Sequence, residues 1–258
     1  MQLPVESALA GALGRGAAAP ALPRLLVAGA TGAIGNAVLR RLVGMQRSRH
    51  TQVLANQPIA QGIRTVSAHV VPAPHIGTDD FGDWPLVAAD MAVVMFDPPR
   101  LFYQRERALW TPAPAQLPAL AAWLRRCGVH TLAVVLPHTQ GRLPQALQKG
   151  LASLDEQMLS AVGFSRLLIV RSAQKPGSAT GSLPHKTAAW MLGTLHYMLP
   201  GSEQPVRASR VAELVDLALQ TLPPGTHVAP GELVWRAAQG DTAHMRRVLE
   251  QWLGERPV

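Results

Sequence analysis

The chain has one cysteine, Cys127, among 258 residues. A single thiol cannot close an internal disulfide, so nothing in the chain calls for an oxidising compartment. Lys149, Lys175 and Lys186 are the only lysines, and Tyr103 and Tyr197 the only tyrosines. The nine histidines show no His-x-x-x-His spacing and no Cys/His cluster, which leaves no metal site of the usual pattern. There is no Gly-x-Ser-x-Gly elbow and no Walker-type loop, so the common hydrolase and nucleoside-triphosphatase signatures are missing. The longest apolar stretches are strand-sized and fall short of the ~20 residues that span a bilayer. Residues 1–22 lack the basic start and unbroken apolar core of a secretory signal and read as a flexible lead-in. These absences together favour a cytoplasmic protein.

What is present is apolar and arginine-rich. Hydrophobic residues make up 48% of the chain, enough for a sizeable core. The formal net charge is +8, carried almost wholly by arginine. That excess favours anionic partners. The arginines are dispersed, however, with no run of five basic residues, which weighs against nucleic acid as the main partner. Cys127 sits beside Arg125 and Arg126, which would lower a thiol pKa. A lone cysteine before a strand also fits plain packing.

The order of elements is legible. Arg24 to Ala28 is a short apolar run, followed at once by Gly29-Ala30-Thr31-Gly32-Ala33-Ile34-Gly35. Residues Asn36 to Val43 then place apolar side chains at helical spacing. Further strands are expected at Thr51–Ala55, Ile63–Val71, Asp90–Phe96, Val129–Leu136 and Arg166–Arg171. Helices are expected at Pro118–Arg126, about Pro144–Val162, Val211–Leu222 and Thr242–Leu253. Such alternation implies right-handed crossovers and an α/β fold: a Rossmann-type, doubly wound, mainly parallel sheet with a helical C-terminal portion. Residues 23–258 read as one domain.

The glycine turn has the context a dinucleotide site needs. Glycine permits the tight turn, and missing side chains let backbone approach a pyrophosphate. The amide groups and positive dipole end of the following helix favour that anion. Gly29, Thr31, Gly32, Ala33, Ile34 and Gly35 are therefore the candidate cofactor-binding residues, with Asn56 after the second strand as a candidate ribose or adenine contact. A tight strand–helix turn without any ligand is the competing reading.

The spacing Gly-x-x-Gly-x-x-Gly resembles the atypical or extended short-chain dehydrogenase/reductases, in particular bacterial nucleoside-diphosphate-sugar epimerase-like NAD(P)-binding proteins. Softer likenesses are Gly128–Val135, Ala161–Arg171 and Pro205–Ala212. The resemblance covers roughly Arg24 to Gln220 and implies NAD(P), with the choice between NAD and NADP open. It also implies a Tyr-x-x-x-Lys pair and an upstream serine after the fifth strand, neither of which stands at the corresponding positions here. Four residues before Lys149 stands Gln145, and after the fifth strand stand Pro137-His138-Thr139. Ala55-Asn56-Gln57-Pro58 carries neither the acid nor the arginine that selects a cofactor. Phe96-Asp97-Pro98-Pro99 is bulky where small residues would let a nicotinamide lie flat.

The expectation is a degenerate relative with little ordinary redox activity and a sensing, assembly or scaffold role. Its partners would be a dinucleotide and a protein, with no metal. Two alternatives stay open. One is an active reductase or epimerase using His138, Thr139, Lys149 or Asp97. The other is an interaction module in which the turn is occluded, with Phe96 and Pro98 as the candidate plugs. Tyr103 to Arg107 reads as a solvated face or loop.

Overall fold

Strand alternation decides the architecture. In β1 (Arg24–Ala28), Leu25 and Val27 face one side of the sheet and Leu26 and Ala28 the other, and all four are buried. A strand buried on both faces needs helices on both. The structure, a computed structural model, describes residues 22–59, 65–72, 81–100, 103–136, 157–171 and 206–254. It contains β2 (His50–Ala55), β3 (Val66–Val70), β4 (Met91–Met95), β5 (Thr131–Leu136), β6 (Arg166–Arg171) and β7 (Gly225–Ala229). All pairings among these strands are parallel, in the order β3-β2-β1-β4-β5-β6-β7. This is a Rossmann-type α/β sheet.

The helices are α1 (Gly32–Gly44), α2 (Leu117–Arg126), α3 (Ala208–Thr221), α4 (Gly231–Ala238) and α5 (Thr242–Gly254). On one face, Val38 and Leu42 of α1 share a core with Val211, Leu214 and Val215 of α3 and with residues of α4 and α5. On the other, Leu120, Trp123 and Leu124 of α2 pack with Phe81, Trp84 and Trp110. Trp84 is the hub there, with edge-on contacts to Phe81 at 4.6 Å, Trp110 at 5.0 Å and Trp123 at 5.4 Å.

The C-terminal portion is not purely helical. β7 lies between α3 and α4 and extends the sheet beside β6. The pair Pro223-Pro224 stops α3, and Gly225, at φ +118, starts the strand. Residues 144–156 of the helix expected between the fifth and sixth strands lie outside the described residues, as do 1–21 of the lead-in; residues 157–161 are helical. Cys127 is buried, and burial pushes its thiol pKa up against the opposing pull of the Val87 amide and Arg126. It is a packing residue.

Two ion-pair clusters hold the frame. Asp216 of α3 has a fully buried side chain and accepts from Arg41 Nε and Arg47 Nε, each at 2.9 Å. Asp90 accepts from Arg24 Nη2 at 2.7 Å, Arg24 Nε at 3.0 Å and the Arg24 amide at 2.8 Å, which aligns the starts of β1 and β4. The Arg24 hydrogen bonds hold the Asp90 carboxyl down at about 2, against the opposing effect of burial.

Replacing both arginines (Arg41→Met with Arg47→Met) leaves Asp216 as an uncompensated buried charge. The expected loss is about 3–5 kcal/mol in urea unfolding, and a loss below about 1 kcal/mol would contradict the pairing. The Asp90 carboxyl has a folded pKa of about 2 against an ordinary 3.8. Its contribution is thus complete above the ordinary value and is lost as pH falls towards the folded one. The stability gap between wild type and Asp90→Asn should shrink across that window; a gap independent of pH contradicts the assignment.

Candidate functional site

In the strand order, the chain runs outward in both directions from the β1–β4 pair. The crevice beyond the carboxyl ends of these two strands is where open α/β sheets place ligands. Gly29 follows β1 and Asp97 follows β4, so the topology brings the glycine turn and the Asp97-Pro98-Pro99-Arg100 segment face to face.

The glycines are where the turn requires them. Gly29 has φ +73, and a Cβ there would lie 1.9 Å from the Met95 carbonyl oxygen. Gly35 lets α1 pack onto the turn, since a Cβ would lie 2.3 Å from the Gly29 carbonyl oxygen. Gly32 has φ +65, and its missing Cβ leaves space that is already taken: Asp97 Cβ is 2.5 Å from that position and the Pro98 carbonyl oxygen 3.1 Å.

Helix α1 begins without a cap of its own. Thr31 occupies the N-cap position but makes no capping bond, and the first turn holds no acid. The Thr31 hydroxyl instead donates to the Asp97 carbonyl and lies 2.8 Å from the Thr111 hydroxyl. The first amides of a helix still need acceptors. They find them in two carboxylates from the segment after β4. The Gly32 amide donates to Glu106 Oε2 at 3.1 Å, and the Ile34 amide donates to Asp97 Oδ2 at 2.9 Å. Asn36 Nδ2 reaches Glu106 Oε1 at 3.4 Å. An anion at this end of a helix is worth about 0.3–2 kcal/mol.

Glu106 sits in a single helical turn, Gln104–Arg107, and is 4% exposed. Burial pushes its carboxyl pKa up. Bonds from the Arg100 side chain, the Arg100 amide and the Gly32 amide outweigh that, so the pKa lies below the ordinary value. Arg100 Nε is 2.8 Å from Oε1 and the Arg100 amide 3.0 Å from Oε2. The Arg100 guanidinium lies 3.9 Å over the Tyr103 ring. Tyr103 and Arg105 face solvent as the sequence suggests, but Glu106 points inward.

The same segment crosses the end of β2. Leu109 bridges Ala55, and the Trp110 amide donates to the Leu54 carbonyl at 2.9 Å. The Asn56 amide donates to the Ala108 carbonyl at 2.7 Å and its side-chain amide to the Leu109 carbonyl at 3.1 Å. The Gly29 amide donates to the Trp110 carbonyl at 3.1 Å. Asn56 is thereby bonded within the chain.

Of the expected site residues, the structure brings together Gly29, Thr31, Gly32, Ala33, Ile34, Gly35, Asn56 and Asp97. His138, Thr139 and Lys149 lie outside the described residues. Pro98 closes on the turn through its carbonyl; Phe96 does not. Strand alternation puts Met95 in one core and Phe96 in the other. Glu106, Arg100 and Thr111 were not expected. Glu106 is the only acid between Asp97 and Asp155, and that solitude was the one signal in the sequence. Among the described residues, no group of three His, Cys, Asp or Glu side chains could hold a metal ion, and no helix is long and apolar enough to cross a membrane.

No protein-family model matches the chain, and no curated protein matches it. Solved structures do. A nucleoside-diphosphate-sugar epimerase from Staphylococcus aureus is 13% identical, over 91% of this chain and 92% of its own, with a TM-score of 0.47. MoeE5, solved with UDP-glucuronic acid and NAD, is 17% identical over 80% and 75%, with a TM-score of 0.44. A Rossmann-fold NAD(P)-binding family protein from Shigella flexneri is 16% identical over 71% and 92%, with a TM-score of 0.37. The fold assignment rests on the strand order, independently of these likenesses.

Gly29→Ala would drive a Cβ into immovable backbone at a left-handed φ, and should cost about 3 kcal/mol or more. Gly32→Ala, also at a left-handed φ, meets the Asp97 Cβ at a longer 2.5 Å, and should cost less, about 1–3 kcal/mol. Thermal unfolding of the two variants checks the order; equal or negligible losses contradict the packing of the turn.

Proposed function

We propose that this chain is a Rossmann protein of the atypical short-chain dehydrogenase/reductase type that retains an NAD(P) turn but performs no ordinary hydride transfer. Its role is sensing, assembly or scaffolding, exercised towards a protein partner. The observation that carries this reading is the occupation of the Gly32 and Ile34 amides by Glu106 and Asp97. A dinucleotide pyrophosphate needs an open helix end of this kind. Here the donors are engaged, the space above Gly32 is filled by Asp97, and the end of β2 is crossed by Ala108 to Trp110. A dinucleotide does not fit this arrangement as it stands.

The sequence supports the same reading. Redox members of the resembled family use a tyrosine whose proton is tuned by a lysine, and Gln145 has no such proton. The competing reading, an active reductase, would need Asp97 released from Ile34 before it could serve as an acid or base.

The test is turnover of NADH and NADPH against a panel of aldehydes, ketones and nucleotide sugars, alongside calorimetric titration of each cofactor. The expected outcome is no cofactor oxidation above the protein-free rate, and no saturable binding by the wild-type chain at millimolar ligand. Turnover lost in His138→Ala or Lys149→Ala would establish the reductase instead.

A further inference from the structure

The closure differs from a filled-in turn in its chemistry. A site abandoned to packing would be filled by apolar side chains. This one is filled by two carboxylates placed on two amides of a glycine turn that has kept all three glycines. Each carboxylate oxygen accepts where a phosphate oxygen would accept. Glu106 is buried, and its charge is balanced by Arg100, whose side chain is 40% exposed at the rim of the crevice.

We propose that Asp97 and Glu106 form an internal anionic latch, which holds the phosphate turn shut by taking the place of a pyrophosphate, with Arg100 as the latch's counter-ion. This rests on the reading above that the turn is a retained dinucleotide turn. The latch excludes the ligand in two ways. Asp97 occupies the volume that Gly32 leaves free. The two carboxylates also place negative charge where the incoming phosphates would bring more, and like charges this close repel strongly away from bulk water.

The parts that would move are small. The crossing segment is fixed at Trp110, which is 3% exposed and held edge-on by Trp84 and Phe81. Asp97 is also held through its carbonyl by the Thr31 hydroxyl, and Glu106 by the Arg100 amide. Opening needs Asp97 and Glu106 to leave the Ile34 and Gly32 amides and the Asp97-Pro98 backbone, whose Cβ and carbonyl fill the space above Gly32, to draw back, without unfolding of the segment anchored at Trp110. Arg100, freed from Glu106, is then the cation nearest the turn among the residues that close it, and suits a diphosphate. The device makes the free chain self-sufficient: α1 is capped without ligand, and a nucleoside diphosphate group must compete with the chain's own carboxylates to enter.

The test uses the full chain and two near-isosteric changes, Asp97→Asn and Glu106→Gln, singly and together. NADH and NADPH are titrated by calorimetry, and hydrogen exchange is read at the Gly32 and Ile34 amides. The expected result is faster exchange at the amide whose carboxylate was neutralised, and NADH or NADPH binding at least about tenfold tighter in the double variant than in the wild type. Asp83→Asn, an exposed site away from the turn, should change neither. Equal binding by wild type and double variant overturns the latch while leaving a dinucleotide protein in place. A folded double variant with fast exchange at both amides and no binding also overturns the latch, while the non-redox reading survives. If the double variant does not fold, the single variants decide on the same two readouts.

Discussion

The first turn of α1 ends in amide groups that no neighbouring side chain caps. Thr31 is placed to do so, and its hydroxyl is turned instead towards the Asp97 carbonyl and Thr111. An uncapped helix start beside a buried parallel sheet needs an acceptor from elsewhere. Asp97 and Glu106 supply it. Much of the local structure exists to deliver those two carboxylates. β4 carries Asp97 to the crevice. Trp110, anchored in an aromatic cluster, fixes the segment that carries Glu106, and Arg100 balances the buried charge.

The frame that holds this arrangement is an ordinary doubly wound sheet. Its C-terminal helices are tied to α1 through the buried Asp216 and its two arginines, so the helix that presents the amides is braced from behind. Arg210, Glu213 and Thr242 tie α3 to α5 in the same way. The glycine turn is therefore braced on its helix side. The side proposed to change is the one that carries Asp97 and Glu106.

The sequence made the fold readable and left the site half read. Strand, glycine turn and helix at Arg24 to Gly44 announce themselves because each is a local pattern. β4, β5 and β6 do so because buried parallel strands are short, continuous apolar runs. β7 was missed: Gly225–Ala229 holds one histidine and one threonine in five residues, and becomes a strand only through pairing with β6. The closure was missed for a related reason. Gln104-Arg105-Glu106-Arg107 has the composition of a solvated turn, and nothing local says that Glu106 will reach a glycine 74 residues earlier. Phe96 looked like a plug because it is large, but alternation along β4 sends it into the core and leaves the smaller Asp97 at the turn. Periodicity reports which face a residue takes, and says nothing of which remote amide it will meet.

The chain caps its own glycine turn with charge. The most direct measurement is site-resolved amide hydrogen exchange of the ligand-free protein. The account predicts that the Gly32 and Ile34 amides, at a helix start where amides usually exchange freely, are protected in the wild type. It further predicts that Glu106→Gln weakens protection at Gly32, and Asp97→Asn at Ile34, each without the other. Unprotected amides at both positions in the wild type, or protection indifferent to both substitutions, would contradict it.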